Sequence, residues 1–254
     1  PVESKYYSSP FQVQLGHQLL KANCGSFRPL RGAQNVPDSP ELHLLQVFNL
    51  ASFDPDLEKR IGDVIGKEAR AQGANYFGGV CINLLRHPAW GRAQETFGED
   101  PYHLGEMGAA LVRGVQRHIM ACAKHYALNS IENARFKVDV RVDERTLREV
   151  YLPHFKRCVD EGVASIMSAY NKVNGEYCAN NTYLLTDILR DEWGFEGFVT
   201  SDWVYGTRDG IGSIKAGLNA EMPFQDHYSN DRLEEGIAKG EITEQDIDRL
   251  VIET

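Results

Sequence analysis

Phosphate-binding glycine loops are absent from this sequence, and basic residues are in the minority. It contains neither the G-x-G-x-x-G fingerprint of dinucleotide sites nor a G-x-x-x-x-G-K-[ST] loop, and the glycines within residues 78–79 and 210–212 are too few to substitute. Lys and Arg number 27 against 36 Asp and Glu, which gives a formal net charge of −9. Because nucleic-acid binding depends on Lys and Arg neutralising phosphates, we expect no nucleic-acid partner.

Long apolar runs and cysteine pairs are missing as well. No run approaches the roughly 18 apolar residues of a membrane span, so no membrane partner is expected. The first residues lack the charged and then apolar build of a signal peptide, although a processed secreted protein would look the same. The cysteines are odd in number and include no C-x-x-C pair, which predicts buried thiols rather than a disulfide framework or a zinc site. They are Cys24, Cys81, Cys122, Cys158 and Cys178. This pattern favours the cytoplasm and leaves secretion open.

Several short apolar segments of the chain lead directly into polar residues. Residues 197–203, GFVTSDW, are the clearest case, because a segment that favours a strand stops at Asp202 beside Trp203. The same arrangement recurs at residues 80–87, 120–125 and 164–171. An acid at the carboxyl end of a buried parallel strand lies where α/β folds place their chemistry. The pattern therefore predicts a functional site at one edge of a parallel sheet.

Helix signals alternate with these strands. Asp54-Pro55 and Asp100-Pro101 each combine an N-cap carboxylate with a proline in the first turn. A third helix is predicted from Asp143 to Gly162, with a kink at Pro153. Further helices are predicted over residues 184–192, 211–216, 231–238 and 243–252. Alternation at this spacing implies βαβ units and a parallel sheet. Because the polar residues come from four or five strand ends and no glycine-rich turn marks an open sheet, we favour a (β/α)8 barrel.

Four segments carry a further signal when they are taken together. They are residues 86–101 (RHPAWGRAQETFGEDP), 124–129 (KHYALN), 168–175 (SAYNKVNG) and 200–203 (TSDW). In this order they resemble the N-terminal barrel of glycoside hydrolase family 3, and the resemblance extends from about residue 49 to residue 254. It implies a TIM-like barrel and the activity that dominates the family, a retaining β-glucosidase.

The resemblance also implies a role for particular residues. Asp202 is expected to be the nucleophile that forms a covalent glycosyl-enzyme. Arg92, Lys124 and His125 are expected to bind the hydroxyls of the sugar at the cleavage point. Tyr170 lines that pocket and Trp203 supplies an apolar wall. These roles agree with general chemistry, because cations beside Asp202 would keep it ionised and an aromatic face suits the C–H side of a pyranose.

Each of these residues also has a purely structural interpretation. Asp202 could be a helix cap, Arg92 could pair with Glu95 or Glu99, and Tyr170 could be a core aromatic. Glu221 could contribute to the sugar site or stabilise a neighbouring loop, and both alternatives stay open.

The sequence departs from the family pattern in two places. Residues 1–48 contain none of the family's usual Asp-Gly-Pro segment and have no clear strand–helix period, so we expect a divergent or truncated first barrel segment before a barrel over residues 49–254. The general acid of the β-glucosidase branch comes from a separate α/β domain after the barrel, which we expect this chain to lack. The alternative acid of the family lies in a K-H-F-P-G-H-G-type segment. Residues 124–130 do not match it, which argues against the β-N-acetylhexosaminidase branch.

Three functions follow from these observations. The first is a β-glucosidase-type hydrolase, represented by its nucleophile and binding half, with a carbohydrate substrate. The second is a non-catalytic sugar-binding barrel or inactive fragment. The third is an unrelated barrel enzyme for a phosphorylated metabolite, which the acidic charge and the missing phosphate loop disfavour. No cofactor is expected, and His17, His43 and His87 lack the spacing of metal ligands. The sequence predicts neither the preferred sugar nor an oligomeric state.

Overall fold

Four parallel strands form the central sheet of the computed structural model, which describes residues 52–254. In the order in which they pair, they are β1 (Tyr76–Cys81), β2 (Met120–Tyr126), β4 (Ser165–Ser168) and β7 (Phe198–Thr200). Each neighbouring pair is parallel. A further parallel bridge joins Thr200 to Ala220 beyond β7. Since parallel neighbours need crossover connections, the helices between these strands follow from the sheet.

Helices connect the strands in chain order. They are α1 (Pro55–Ala71), α2 (Pro101–Val115), α3 (Glu144–Thr146), α4 (Pro153–Asp160), the π-type segment α5 (Tyr183–Glu192), α6 (Gly210–Ala216), α7 (Asn230–Ala238) and α8 (Glu244–Ile252). The main hydrophobic core lies between the sheet and these helices and includes Ile82, Leu104, Leu111, Phe155 and Ile166. The predicted α/β class is confirmed.

The predicted helix caps are present. The Asp54 side chain accepts hydrogen bonds from the N–H groups of Asp56 and Leu57, and the Asp100 side chain accepts one from His103. Thr243 and Asp246 form the reciprocal capping box of α8. These bonds satisfy N–H groups that a helix leaves without partners in its first turn.

Pro153 divides the helix predicted over residues 143–162. A π-helical turn, Leu147–Tyr151, ends just before it, and α4 begins at Pro153 itself. Proline is tolerated at a first helical position because its missing N–H would have no partner there anyway. The region that the sequence predicts as one kinked helix therefore forms two separate helical segments.

The sheet is strongly curved. The Tyr76 hydroxyl lies 3.2 Å from Ser165 Oγ and 3.5 Å from Thr200 Oγ1, so a side chain of β1 reaches the far strands β4 and β7. In a flat sheet, β1 and β7 would be three strand spacings apart, or about 14 Å. This contact crosses the concave face of the sheet, as expected for a barrel whose interior is filled by the side chains of its own strands.

The structure also corrects two details of the sequence interpretation. The strand predicted over residues 80–85 instead spans Tyr76–Cys81. A second, small sheet was not predicted: β3 (Asp139–Val140) pairs parallel with β5 (Lys172–Val173), which pairs antiparallel with β6 (Glu176–Tyr177). Two-residue strands give too short a period to be recognised in a sequence.

Cys81, Cys122, Cys158 and Cys178 are free and buried, which confirms the prediction of buried thiols for these four. Cys24 and the predicted first segment over residues 1–48 lie outside the described residues. Within residues 52–254, none of the helices has both the length and the apolar character needed to span a bilayer.

Candidate active site

Asp202 lies two residues beyond the end of β7, at the carboxyl edge of the sheet. Its Oδ1 accepts a 2.7 Å hydrogen bond from the N–H of Trp203, and the residue is only 6% exposed. Gly206 packs directly on the Asp202 backbone, because a Cβ at Gly206 would lie 2.3 Å from Asp202 O. The other carboxylate oxygen, Oδ2, is buried and has no hydrogen-bond partner among the described residues. Oδ1 is thus held by a backbone hydrogen bond, whereas Oδ2 accepts no hydrogen bond from the described residues.

Two opposing effects set the pKa of Asp202. Burial raises it, because the charged form loses hydration. The Trp203 N–H and the positive charges of Lys124 and Arg92 act in the opposite direction and lower it. The cations therefore keep the carboxylate ionisable in a site that would otherwise favour the neutral acid.

His125 lies beside this carboxylate at the end of β2, with its Nε2 3.6 Å from Asp202 Oδ2. Arg92 Nη1 is much closer, at 2.8 Å from the same Nε2. Burial, together with the charges of Arg92, Lys124 and Arg135, holds the pKa of His125 well below its usual value. The imidazole is therefore neutral at neutral pH, and the 3.6 Å approach to Asp202 is not an ion pair.

Arg92 pairs with Glu95, one of the two carboxylates that the structural interpretation of the sequence named. Its Nε and Nη2 donate to the two carboxylate oxygens of Glu95, at 2.8 and 2.6 Å. The remaining nitrogen, Nη1, points to His125. Bidentate pairing fixes the guanidinium plane, so Glu95 orients Arg92 toward His125.

Lys124 lies on β2, where it is paired in register with Cys81 of β1 and Met167 of β4. It is partly exposed. Its charge acts on both Asp202 and His125.

Tyr170 links Trp203, the neighbour of Asp202, to an aromatic cluster. Its hydroxyl donates a 2.6 Å hydrogen bond to Trp203 O, and its ring packs edge to face with Phe136 at 4.8 Å. The Arg135 guanidinium lies 4.7 Å from the centre of the Tyr170 ring. Burial and the Asp202 charge raise the pKa of Tyr170, so the phenol stays protonated and can donate.

Glu221 directly follows Ala220, which forms the parallel bridge to Thr200 of β7. Its contacts differ from those of Asp202. Its Oε2 accepts hydrogen bonds from the backbone N–H groups of His227 and Tyr228, at 2.8 and 2.9 Å. It also lines a cavity of about 150 Å³ between α6, α7 and α8. Its hydrogen bonds hold a loop, and none of those that it makes within residues 52–254 is to Asp202, Arg92 or His125.

Sequence reasoning missed one residue of this group, Asn83. Its side chain is buried and makes three hydrogen bonds to His125. A polar amide inside the apolar run of residues 80–85 was the available signal, because a buried amide needs partners.

The arrangement combines one buried carboxylate with cations, a neutral imidazole and aromatic rings at a single edge of the barrel. Among residues 52–254, no cluster of three or more His, Cys, Asp and Glu side chains is placed to hold a metal ion.

The chain is similar in sequence to several known proteins. The profile described as glycosyl hydrolase family 3 N terminal domain matches residues 30–252. The chain is 41% identical over 202 residues to thermostable β-glucosidase B of Acetivibrio thermocellus, covering 79% of this chain and 27% of the relative. It is 39% identical over 253 residues to an exo-α-(1→6)-L-arabinopyranosidase of Bifidobacterium longum, covering 98% of this chain and 32% of the relative.

A solved structure gives the same result for the fold. β-Glucosidase 3B of Thermotoga neapolitana in complex with α-D-glucose superposes with a TM-score of 0.76 at 38% identity, over 80% of this chain and 30% of that one. The predicted TIM-like barrel is thereby confirmed. The chain spans roughly a quarter to a third of the length of these relatives.

Proposed function

Because the chain belongs to glycosyl hydrolase family 3, whose N-terminal domain it matches over residues 30–252, we propose that it is the nucleophile-bearing barrel of a retaining glycosidase of the β-glucosidase type. The observation that carries this proposal is Oδ2 of Asp202, a buried carboxylate oxygen with no hydrogen-bond partner in the described part of the chain, at a strand end beside cations.

In the proposed reaction, Asp202 Oδ2 attacks the anomeric carbon of the sugar. A bond forms between that carbon and Oδ2 while the bond to the leaving-group oxygen breaks, and the leaving oxygen takes a proton. Water then attacks the same carbon from the side opposite Oδ2 and gives its proton to the group that protonated the leaving oxygen, which releases the sugar and restores the carboxylate. Two inversions give net retention. The Trp203 N–H keeps Oδ1 in place through both steps.

The remaining residues bind the sugar in this proposal. Arg92 and Lys124 donate charge-assisted hydrogen bonds to hydroxyls, His125 contacts a third, and Trp203 forms the apolar wall. Tyr170 positions Trp203 through its hydrogen bond to the Trp203 carbonyl. Glu221 keeps its two candidate roles, and its bonds to the loop backbone favour the structural one.

We further propose that the general acid is supplied from outside this chain. A retaining glycosidase needs a second, protonated carboxyl group about 5–5.5 Å from the nucleophile. Glu95 is engaged with Arg92, and Glu221 accepts two backbone N–H bonds, so neither presents a proton to a leaving group. The lengths of the relatives leave room for such a domain. In this division the barrel occupies residues 49–254, and residues 1–48 form a divergent first segment.

β-Glucosides are the first substrates to test, because the Acetivibrio and Thermotoga relatives are named β-glucosidases. A second candidate is an α-L-arabinopyranoside, which the match over 98% of this chain to the Bifidobacterium enzyme favours. The two sugars differ at the hydroxymethyl group and at one ring hydroxyl, which are read by pocket shape.

Trapping of the covalent intermediate tests the proposal. The 254-residue chain is incubated with 2,4-dinitrophenyl 2-deoxy-2-fluoro-β-D-glucopyranoside, whose leaving group needs no acid. We expect one glycosyl adduct by intact-mass spectrometry, located by peptide mapping at Asp202 and missing in Asp202→Asn. Asp226→Asn, which removes an acid in a nearby loop, is the matched control and should still be labelled.

The alternative, a non-catalytic sugar-binding barrel, predicts a different result. Glucose would bind, as measured by calorimetry or ligand-observed NMR, but no adduct would form at any reagent concentration. An adduct on another carboxylate would remove Asp202 from the proposed role.

A further inference from the structure

The hydrogen bonds around His125 determine where its ring proton lies. Asn83 Oδ1 accepts the backbone N–H of His125 at 2.8 Å, and Asn83 Nδ2 donates to His125 O at 2.8 Å. A backbone N–H can only donate and a backbone carbonyl can only accept. These two bonds therefore fix the orientation of the Asn83 amide and exclude its flipped form.

The orientation of Asn83 in turn fixes the tautomer of His125. The ring atom Nδ1 lies 3.0 Å from Asn83 Oδ1, which is an acceptor, so Nδ1 must carry the proton. The other nitrogen, Nε2, lies 2.8 Å from Nη1 of Arg92, which can only donate. A neutral ring protonated at Nδ1 satisfies all of these contacts, and no other protonation state does.

We propose that Asn83 is a positioning residue that holds His125 in its Nδ1–H tautomer, so that Nε2 is an acceptor and Oδ2 of Asp202 receives no hydrogen bond from this ring. The part of this proposal that concerns Asp202 rests on the proposed function. A donor at Nε2, 3.6 Å from Oδ2, would stabilise the carboxylate before attack and reduce its reactivity. The Nδ1–H tautomer also lets Nε2 accept the hydrogen bond of Arg92 Nη1, which a proton on Nε2 would block.

The tautomer can be observed directly in the unmodified chain. Long-range ¹H–¹⁵N NMR of histidine-labelled protein distinguishes protonated from unprotonated ring nitrogens, and the His125 signals are assigned by their loss in His125→Gln. We expect a protonated Nδ1, an unprotonated Nε2 and no titration between about pH 5 and pH 8, where a free histidine would titrate. A proton on Nε2 in the wild-type chain would overturn the proposal, whatever the variants do.

Asn83→Asp tests the positioning role itself. A carboxylate can still accept from Nδ1–H, but its charge favours the doubly protonated ring, so His125 should titrate at a higher pH than in the wild type. Where Nε2 gains its proton, labelling of Asp202 by the fluorosugar should slow by about tenfold or more, because the positive charge of an imidazolium 3.6 Å from Oδ2 stabilises the carboxylate before attack. Labelling should recover as the pH rises above the new His125 titration.

Asn181→Asp is the matched control. Asn181 is also a buried amide bonded to backbone groups, Val173 O and Leu184 N, and it makes none of its bonds to His125. It should leave the His125 signals and the pH profile of labelling unchanged. Unchanged His125 signals in Asn83→Asp would contradict the proposal. Absence of any adduct on the wild type would instead remove the role of Asp202 and leave the tautomer measurement standing.

Discussion

At the scale of single residues, the charge on Lys124 controls how readily Asp202 ionises. Burial raises the pKa of Asp202, and the Lys124 and Arg92 charges oppose that effect. Lys124→Met removes one cation, so the pKa of Asp202 should rise further above its ordinary value. Since only the ionised carboxylate attacks, the acidic limb of the labelling rate should move to higher pH.

The measurement is the second-order rate of fluorosugar labelling as a function of pH. Lys67→Met, which removes a cation paired with Asp63 on α1, should leave the profile in place. A profile for Lys124→Met that falls in amplitude without moving would assign Lys124 to sugar binding alone.

Glu58 is a second buried carboxyl group, far along the sequence from the site. It is 1% exposed on α1, its Oε2 has no hydrogen-bond partner among residues 52–254, and burial raises its pKa to about 7. The folded chain therefore binds this proton more tightly than the unfolded chain does. The corresponding stability is fully present below the ordinary Glu pKa of about 4.3 and is lost as the pH rises through 7.

Glu58→Gln should remove this pH dependence. We expect the free energy of unfolding of the variant to exceed that of the wild type by about 2–3 kcal/mol at pH 8.5, and by much less at pH 5. Urea unfolding at both values measures it. The exposed Glu68→Gln on the same helix is the control and should behave like the wild type at both. Equal effects of Glu58→Gln at both pH values would show that ionisation is not the cause.

At the scale of elements, α1 and α2 approach each other closely through glycines. A Cβ at Gly114 would lie 2.2 Å from Lys59 O and 2.8 Å from Asp63 N, both backbone atoms that cannot rotate away. Gly114→Ala should therefore separate the helices and destabilise the fold by about 2 kcal/mol, although alanine is the better helix former. Gly236→Ala on α7 meets only the side-chain ends of Ile211 and Ile242, so it should be much better tolerated in thermal unfolding.

The loop after β7 depends on a similar contact at Gly206. A Cβ there would overlap Asp202 O, so Gly206→Ala should displace Asp202. If Asp202 attacks as we propose, labelling should slow by at least about tenfold, since a small misplacement of a reacting group is costly. Gly78→Ala on β1, where a Cβ would make ordinary 3.5 Å contacts, should keep the wild-type rate. A Gly206→Ala chain that labels normally would show that the loop can adjust.

Sequence patterns predicted the elements that local chemistry controls. The caps at Asp54 and Asp100 and the capping box of α8 depend on residues within one turn, and all three are present. The start of β1 depends on distant residues instead. Gly78 and Gly79 lower strand propensity, so the strand was predicted to begin at Val80. It begins at Tyr76, whose side chain bonds across the barrel.

The candidate site shows the same difference between what local patterns reveal and what depends on distant residues. Asp202 stands out in the sequence because an apolar run ends on it. In the structure His125 lies beside it, Arg92 contacts His125, Tyr170 bonds to the neighbouring Trp203, and Lys124 acts through its charge. Asn83 could not be assigned, because its partner lies 42 positions away on β2. Pairings of that separation are set by the sheet register and are invisible to local patterns.

At the scale of the whole molecule, the proposal that the acid lies outside the chain predicts a strong dependence on the leaving group. Without a proton donor, poor leaving groups should lose the ~10²–10⁴-fold contribution of general acid catalysis. The 254-residue chain should therefore hydrolyse 2,4-dinitrophenyl β-glucoside and be slow on methyl β-glucoside and cellobiose. The slope of log kcat/KM against leaving-group pKa measures this dependence.

Azide provides a complementary test of the second step. In a retaining enzyme, the same acid group later deprotonates the water that releases the sugar, so its absence should let the glycosyl-enzyme accumulate. Azide needs no deprotonation, and it should raise turnover of the activated substrate and yield β-glucosyl azide, which Asp202→Asn should not produce. Efficient cleavage of cellobiose with no response to azide would place the acid within these 254 residues. Glu221, a buried carboxyl group whose pKa is raised by burial, would then be the first residue to substitute.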